Sequence, residues 1–233
     1  MLPATHAYLI ETALAAIDHD GLRSRRAAIL AGSVDEDRVR VPFTGWKVQS
    51  PGLSHTYRPG RRRGELGAPS ALTRIERLLG DATAAWRTGP DHAAHTIGRA
   101  CHLLGDAAVP ARTRGVWHPL GDPYERWVDD HLGALAAEPP APPVTAATIA
   151  AIVDGLARLA ARHPADSTRS PWGALAHRLG LPSVIVDDEA AARQARALVP
   201  AALAHHVAFL RLIASRLRAT AIHSTSSAES SRP

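Results

Sequence analysis

His102 and Asp106 stand four residues apart in Cys101-His-Leu-Leu-Gly-Asp106, a segment with helical apolar spacing. On a helix, positions i and i+4 lie on one face about one turn apart, so this imidazole and this carboxylate can reach one metal ion. Cys101, Leu103 and Leu104 are apolar and place the pair in buried surroundings, where both groups need a partner. Gly98, one turn earlier on the same face, is expected to leave room beside the site. Further candidate donors are scattered along the chain. His6 falls on the apolar face of the first amphipathic segment, and Asp37 closes the acidic turn Gly32-Ser-Val-Asp-Glu-Asp37. His55 lies in Ser54-His-Thr-Tyr-Arg-Pro59, a stretch with no helical reason for a histidine. Two carboxylates and three imidazoles form a borderline-hard donor set suited to zinc.

Those donors need elements to carry them. Thr5 is a plausible N-cap for a helix reaching Ile17, with His6, Leu9, Ile10, Ala13 and Leu14 at helical spacing. Asp20-Gly21 breaks it, and a short second helix is expected to end near Ala31. Residues 32–67, with Gly32, Pro42, Gly45, Pro51, Gly52, Pro59 and Gly60, read as one long irregular segment, of a length that usually marks a functional loop. Helical periodicity returns at Leu72, Ile75, Leu79, Ala82 and Trp86. It continues over about 91–108, 123–136, 146–162, 171–179 and 187–217, with Glu138-Pro-Pro-Ala-Pro-Pro143 as a stiff connection. No strand alternation is read. The expectation is an all-α domain over 1–220: a multi-helix bundle with a long metal-binding loop between helices 2 and 3. A Ser/Thr-rich tail over 221–233 is expected to be disordered.

Composition narrows the function classes. With 233 residues and 45% apolar content the chain can bury a sizeable core, which excludes a disordered or collagen-like chain and a disulfide miniprotein. Cys101 is the single cysteine, so no internal disulfide forms. No run of 18 apolar residues occurs, so no transmembrane segment is expected. The net charge is +5, and every basic residue but Lys47 is arginine, a surface suited to phosphate-bearing partners. There is no glycine-rich phosphate loop and no Ser/His/Asp or Cys/His arrangement for nucleophilic catalysis. The opening Met1-Leu-Pro-Ala-Thr-His6 has neither a basic nor an apolar leader region, so no secretory signal is read in the chain as given and no compartment is assigned.

In sequence order, His6, Gly32-Ser-Val-Asp-Glu-Asp37, Ser54-His-Thr-Tyr57, His102-Leu-Leu-Gly-Asp106-x3-Pro110 and Asp122-Pro-Tyr-Glu125 resemble the zinc-dependent phospholipase C superfamily, whose relatives include the secreted single-strand-specific zinc nucleases. The resemblance covers residues 5 to about 131. It implies two zinc ions bridged by Asp106, one held by Asp37, His55, His102 and Asp106, the other by His6, Asp106 and the N-terminal residue. Asp35 is the alternative to Asp37, which would also orient or deprotonate the attacking water. Relatives carry a histidine just after the proline, where this chain has Pro110-Ala-Arg112. The expectation is that Arg112 stands in for a third ion, bridging Glu125 and a substrate phosphate. Two readings of the remaining third-site ligands stay open, Glu125 or the pair His118 and Asp122.

The implied activity is metal-dependent hydrolysis of a phosphodiester. Phospholipid is favoured over nucleic acid, because the His55-to-His102 spacing is closer to the lipases and aromatic stacking platforms are few. The tract Pro59-Gly-Arg-Arg-Arg63 could meet an anionic head group at a membrane surface or a nucleic-acid backbone. The competing expectations are a nuclease and a catalytically degenerate binding module of the same fold.

Overall fold

Pro3 opens α1 (Pro3–Ala15), where its fixed φ suits the first turn and its missing N–H is no loss. Leu2 at the N-cap offers no side-chain acceptor, and the Asp129 carboxylate, far along the chain, accepts the Thr5 N–H at 3.0 Å instead. Next come α2 (Asp20–Arg23) and α3 (Arg26–Glu36), then the antiparallel strands β1 (Arg40–Phe43) and β2 (Trp46–Gln49), with Phe43 opposite Trp46. The Ser70 hydroxyl accepts the Thr73 N–H and starts α4 (Ala71–Ala85). The chain continues through α5 (Pro90–Asp106), α6 (Pro110–Arg114), α7 (Pro123–Asp130), α8 (Leu132–Ala136), α9 (Ile149–Ala160) and α10 (Asp188–Glu229). This computed structural model describes residues 1–38, 40–43, 46–49, 55–61, 69–114, 123–164 and 188–229.

The centre of the bundle is α5, almost wholly buried from Ala93 to Asp106 and packed against α3 and α4, with α1 and α10 also touching it. Ile97, Leu103 and Leu104 from α5 join Leu9, Ile10, Ile29, Ile75, Leu198 and Phe209 in a continuous core. Two glycines bring α3 and α5 together. A methyl group on Gly32 would lie 1.9 Å from the His95 carbonyl oxygen, and one on Gly98 would lie 1.9 Å from the Ile29 carbonyl oxygen. The backbones therefore touch directly, which fixes the end of α3 beside the last turns of α5.

The all-α class holds, with corrections in detail. The helix expected to stop near Ala31 runs to Glu36, because Gly32 serves the helix contact rather than breaking the helix. Gly98 makes room for α3 rather than for a site. Part of the segment read as irregular is the β1–β2 hairpin. Its signal was present, since Val41 and Phe43 alternate with Arg40 and Pro42, and Trp46 and Val48 with Lys47 and Gln49. The helix expected over 123–136 divides at His131, and the last helix extends to Glu229, past the start of the expected tail. The expected helix at 171–179 lies outside the described residues. One stretch of α10, Asp188–Ala219, is long and apolar enough to cross a membrane, and 56% of its most apolar window is buried against the other helices.

The glycine contact yields a stability test. Gly98→Ala is expected to cost about 3 kcal/mol through overpacking. In thermal unfolding followed by circular dichroism this corresponds to a fall in Tm of roughly 6–12 °C. Gly80→Ala on α4, where nothing lies within 4 Å, is expected to be neutral or stabilising. Equal Tm values for the two variants would contradict this packing.

Candidate metal centre

Four separate elements deliver the candidate donors to one place. His6 rises from the first turn of α1, and its ring stacks on that of His102 with centroids 4.0 Å apart. Gly105 makes that approach possible, for a methyl group there would lie 2.6 Å from His6 Nδ1. His102 and Asp106 come from the last turns of α5, and Asp37 caps the C-terminus of α3. His55 belongs to a loop held by backbone bonds from Tyr57 N–H to the Arg112 carbonyl (3.3 Å) and from Ala71 N–H to the Thr56 carbonyl (3.2 Å). Asp154 on α9 adds a clamp, accepting from the Tyr57 hydroxyl at 3.0 Å and the Gly60 N–H at 2.9 Å.

Asp106 divides its two oxygens between two groups. Oδ1 lies 2.7 Å from the Met1 amino nitrogen and 3.5 Å from His6 Nε2. Oδ2 lies 2.6 Å from His55 Nδ1 and 3.5 Å from His102 Nε2. Asp37 Oδ1 approaches the second group, 3.3 Å from His102 Nε2 and 3.8 Å from His55 Nδ1. The donor atoms of His6, His102 and Asp106, and those of Asp37, His55 and His102, each fall within 4.8 Å of one another. Asp37 is the open side of the cluster, its side chain 42% exposed while the other four are buried. Both ring nitrogens of His6 and Nε2 of His55 are buried with no hydrogen-bond partner. Buried imidazoles left unsatisfied around shared carboxylates are costly in an apolar interior, so this donor set fits a divalent cation such as zinc.

The electrostatics carry the same imprint. Burial is the largest influence on Asp106 and would raise its pKa, yet the Met1 amine, Arg112 and His102 hold it well below the usual carboxylate range. Burial likewise opposes the charge of His102, and the Asp106 and Asp37 carboxylates override it, raising the imidazole from 6.5 to about 9. His6 moves the other way: burial, then the neighbouring His102, lower it to about 3. Burial also lowers His55. One imidazole thus carries the positive charge that offsets the carboxylates, and its stacked neighbour stays neutral.

Beside this cluster the Met1 amine also lies 2.8 Å from Glu125 Oε1, and Arg112 Nη2 lies 3.6 Å from the same oxygen. Burial would raise the Glu125 carboxyl, and the amine and Arg112 instead bring it down to about 2. Of the residues singled out from the sequence, His6, Asp37, His55, His102 and Asp106 converge, and Arg112 and Glu125 adjoin them. Asp35 turns away to His95 (3.1 Å) and Arg38 (3.3 Å), whereas Asp37 faces His102 and His55. His118 and Asp122 lie outside the described residues, as do Arg62 and Arg63 of the basic tract. Sequence reasoning missed Glu36, wholly buried beside His55. Its signal was the spacing Ile29, Gly32, Ser33, Glu36, which forms the buried stripe of α3.

His102 gives a pH test. Its folded pKa is raised, so its contribution to the metal-free protein is complete below 6.5 and lost as the pH rises through about 9. The Tm of chelator-treated protein is expected to fall over that interval, and His102→Gln is expected to flatten the fall. Zinc, binding only the folded state, is expected to raise Tm. A wild-type Tm that rises between pH 6.5 and 9 without metal would contradict the assignment.

No family model and no curated protein matches the sequence. Among solved structures the chain is similar to the alpha-toxin of Clostridium absonum, with a TM-score of 0.66 and 12% identity over 92% of this chain and 64% of that one. It is also similar to the alpha-toxin of an avian strain of Clostridium perfringens, with a TM-score of 0.63 and 12% identity over 92% of this chain and 63% of that one. The chain therefore spans a little under two thirds of these toxins' length, and over that span it shares the helical fold of the clostridial alpha-toxins.

Proposed function

We propose that this protein is a metal-dependent phosphodiester hydrolase of the phospholipase C type, acting on phospholipid at a di-zinc centre bridged by Asp106. The observation that carries the reading is the buried convergence of His6, His55 and His102 on the two oxygens of Asp106, with Asp37 at the mouth. Support comes from the alpha-toxin fold and from the motif order, which resembles the phospholipase C superfamily. His55, His102, Asp37 and Asp106 would hold one ion; His6, Asp106 and the Met1 amine would hold the other. Bound there, two divalent cations would lower the pKa of a water, clamp the phosphate oxygens and neutralise the charge that builds up during attack.

The chain's own residues supply the rest. Asp37 is the most accessible carboxylate of the set, so it is placed to orient the attacking water and accept its proton. Arg112, paired with Glu125 at the edge of the cluster, holds a fixed positive charge for a phosphate oxygen where relatives use a further histidine ligand. Glu125 keeps that guanidinium in place, and the buried wall around His6 and His102 limits competing water. A lipid surface is the favoured partner, met by the loop that carries His55 and continues into the arginine tract.

Turnover of a chromogenic phosphodiester by zinc-loaded protein tests this reading. Asp106→Asn is expected to lose roughly 1000-fold or more in kcat, and Arg112→Gln roughly 10- to 100-fold, as for a transition-state charge contact. Phospholipid vesicles are expected to be cleaved in preference to single-stranded DNA. Tightly held zinc at three ions per chain would contradict the role of Arg112. Zinc below one ion per chain with no turnover would favour the degenerate binding module.

A further inference from the structure

Glu36 does not belong to the candidate donor set, yet it is wholly buried at the end of α3, one residue before Asp37. Two arginines bracket it: Arg74 on α4 donates from Nε to Oε1 at 2.5 Å, and Arg99 on α5 donates from Nε to Oε2 at 2.8 Å. One carboxylate thereby joins three helices and is fixed in orientation by a donor on each oxygen. The third group against it is His55, whose Nε2 lies 3.8 Å from Glu36 Oε1. That nitrogen is buried and has no hydrogen-bond partner. The other ring nitrogen, Nδ1, faces the opposite way: it donates to Asp106 Oδ2 at 2.6 Å, so in the metal-free chain it carries the proton that a cation would displace, and it lies 3.8 Å from Asp37 Oδ1.

The His55 ring thus stands between two carboxylate environments of different kinds. On the Nδ1 side are the candidate ligands, and on the Nε2 side is a carboxylate that two arginines keep from turning. A neutral imidazole has one N–H and one lone pair, and the acceptor beside one nitrogen decides which nitrogen is left to bind a cation. Carboxylates in this outer position set the tautomer and ring orientation of metal-binding histidines, and their loss typically costs 10- to 100-fold in metal affinity.

We propose that Glu36 is a positioning residue for the metal centre: once a cation displaces the proton from His55 Nδ1, the Glu36 carboxylate, clamped by Arg74 and Arg99, takes the Nε2–H and so keeps the Nδ1 lone pair on the cation. This rests on the metal reading above. It also gives the two arginines a role beyond neutralising a buried charge, since they keep the carboxylate turned beside the Nε2 edge of His55.

Histidine 15N NMR on the zinc-loaded chain, together with competitive zinc titrations, tests the inference. In the wild type, His55 is expected to show a protonated Nε2 and a metal-bound Nδ1. Glu36→Gln is expected to weaken zinc binding roughly 10- to 100-fold and to lose the fixed tautomer, with helical content retained. Glu36→Asp, which keeps the charge on a shorter arm, is expected to recover part of the affinity. If Glu36→Gln does not fold, the wild-type spectrum still decides: zinc on Nε2 with a protonated Nδ1 overturns the inference. Unchanged zinc affinity in folded Glu36→Gln, with the wild type binding two ions, overturns it and leaves the metal reading standing. A wild type that binds no zinc overturns both.

Discussion

A carboxylate removed from water needs positive charge within a few ångströms, and the site is organised around Asp106 on that account. Its side chain is buried, and each of its oxygens faces a different set of nitrogen donors. The Met1 amine and the charged His102 compensate it in the metal-free protein, and Arg112 adds to the field. Protons thus stand where cations would stand. This explains how an interior so rich in titratable groups remains compatible with a folded helical bundle.

The geometry around Asp106 depends on backbone contact as much as on side chains. Gly32 and Gly98 let α3 and α5 touch, which carries Asp37 and Glu36 to the last turns of α5. Gly105 repeats the device on the other flank, leaving space for the His6 ring. The Arg74–Glu36–Arg99 bridge then ties α4 into the same junction, and Asp154 ties the His55 loop to α9. Each donor therefore stands on an element held from at least two directions, which is what a preorganised site needs.

Much of this was legible in the sequence, and the exceptions have physical causes. His102 and Asp106 announce themselves by i,i+4 spacing inside an apolar helix, and their motif order resembles a known family. His55 could be singled out because nothing in its loop calls for a histidine, and His6 only in company with the other donors, since a lone histidine on an apolar helix face more often serves the core. Glu36 could not, because an acidic triplet reads as a solvated turn when Gly32 is taken to end the helix. With the helix extended to Glu36, the same residues show a regular buried stripe. The true work of Gly98 was hidden as well, since a glycine in a helix does not say which neighbour it accommodates. The hairpin was masked by Pro42 and Gly45, whose usual meaning is a loop.

Arg112 and Glu125 stand at the edge of the cluster. A guanidinium paired with a carboxylate that also meets the Met1 amine supplies fixed charge there. Diffraction from zinc-soaked crystals at the zinc absorption edge tests the central claim most directly. Two anomalous peaks, one at about 2.0–2.2 Å from each oxygen of Asp106 and none between Arg112 and Glu125, are the predicted result. No peak at Asp106, or a single one away from it, would contradict the di-zinc account.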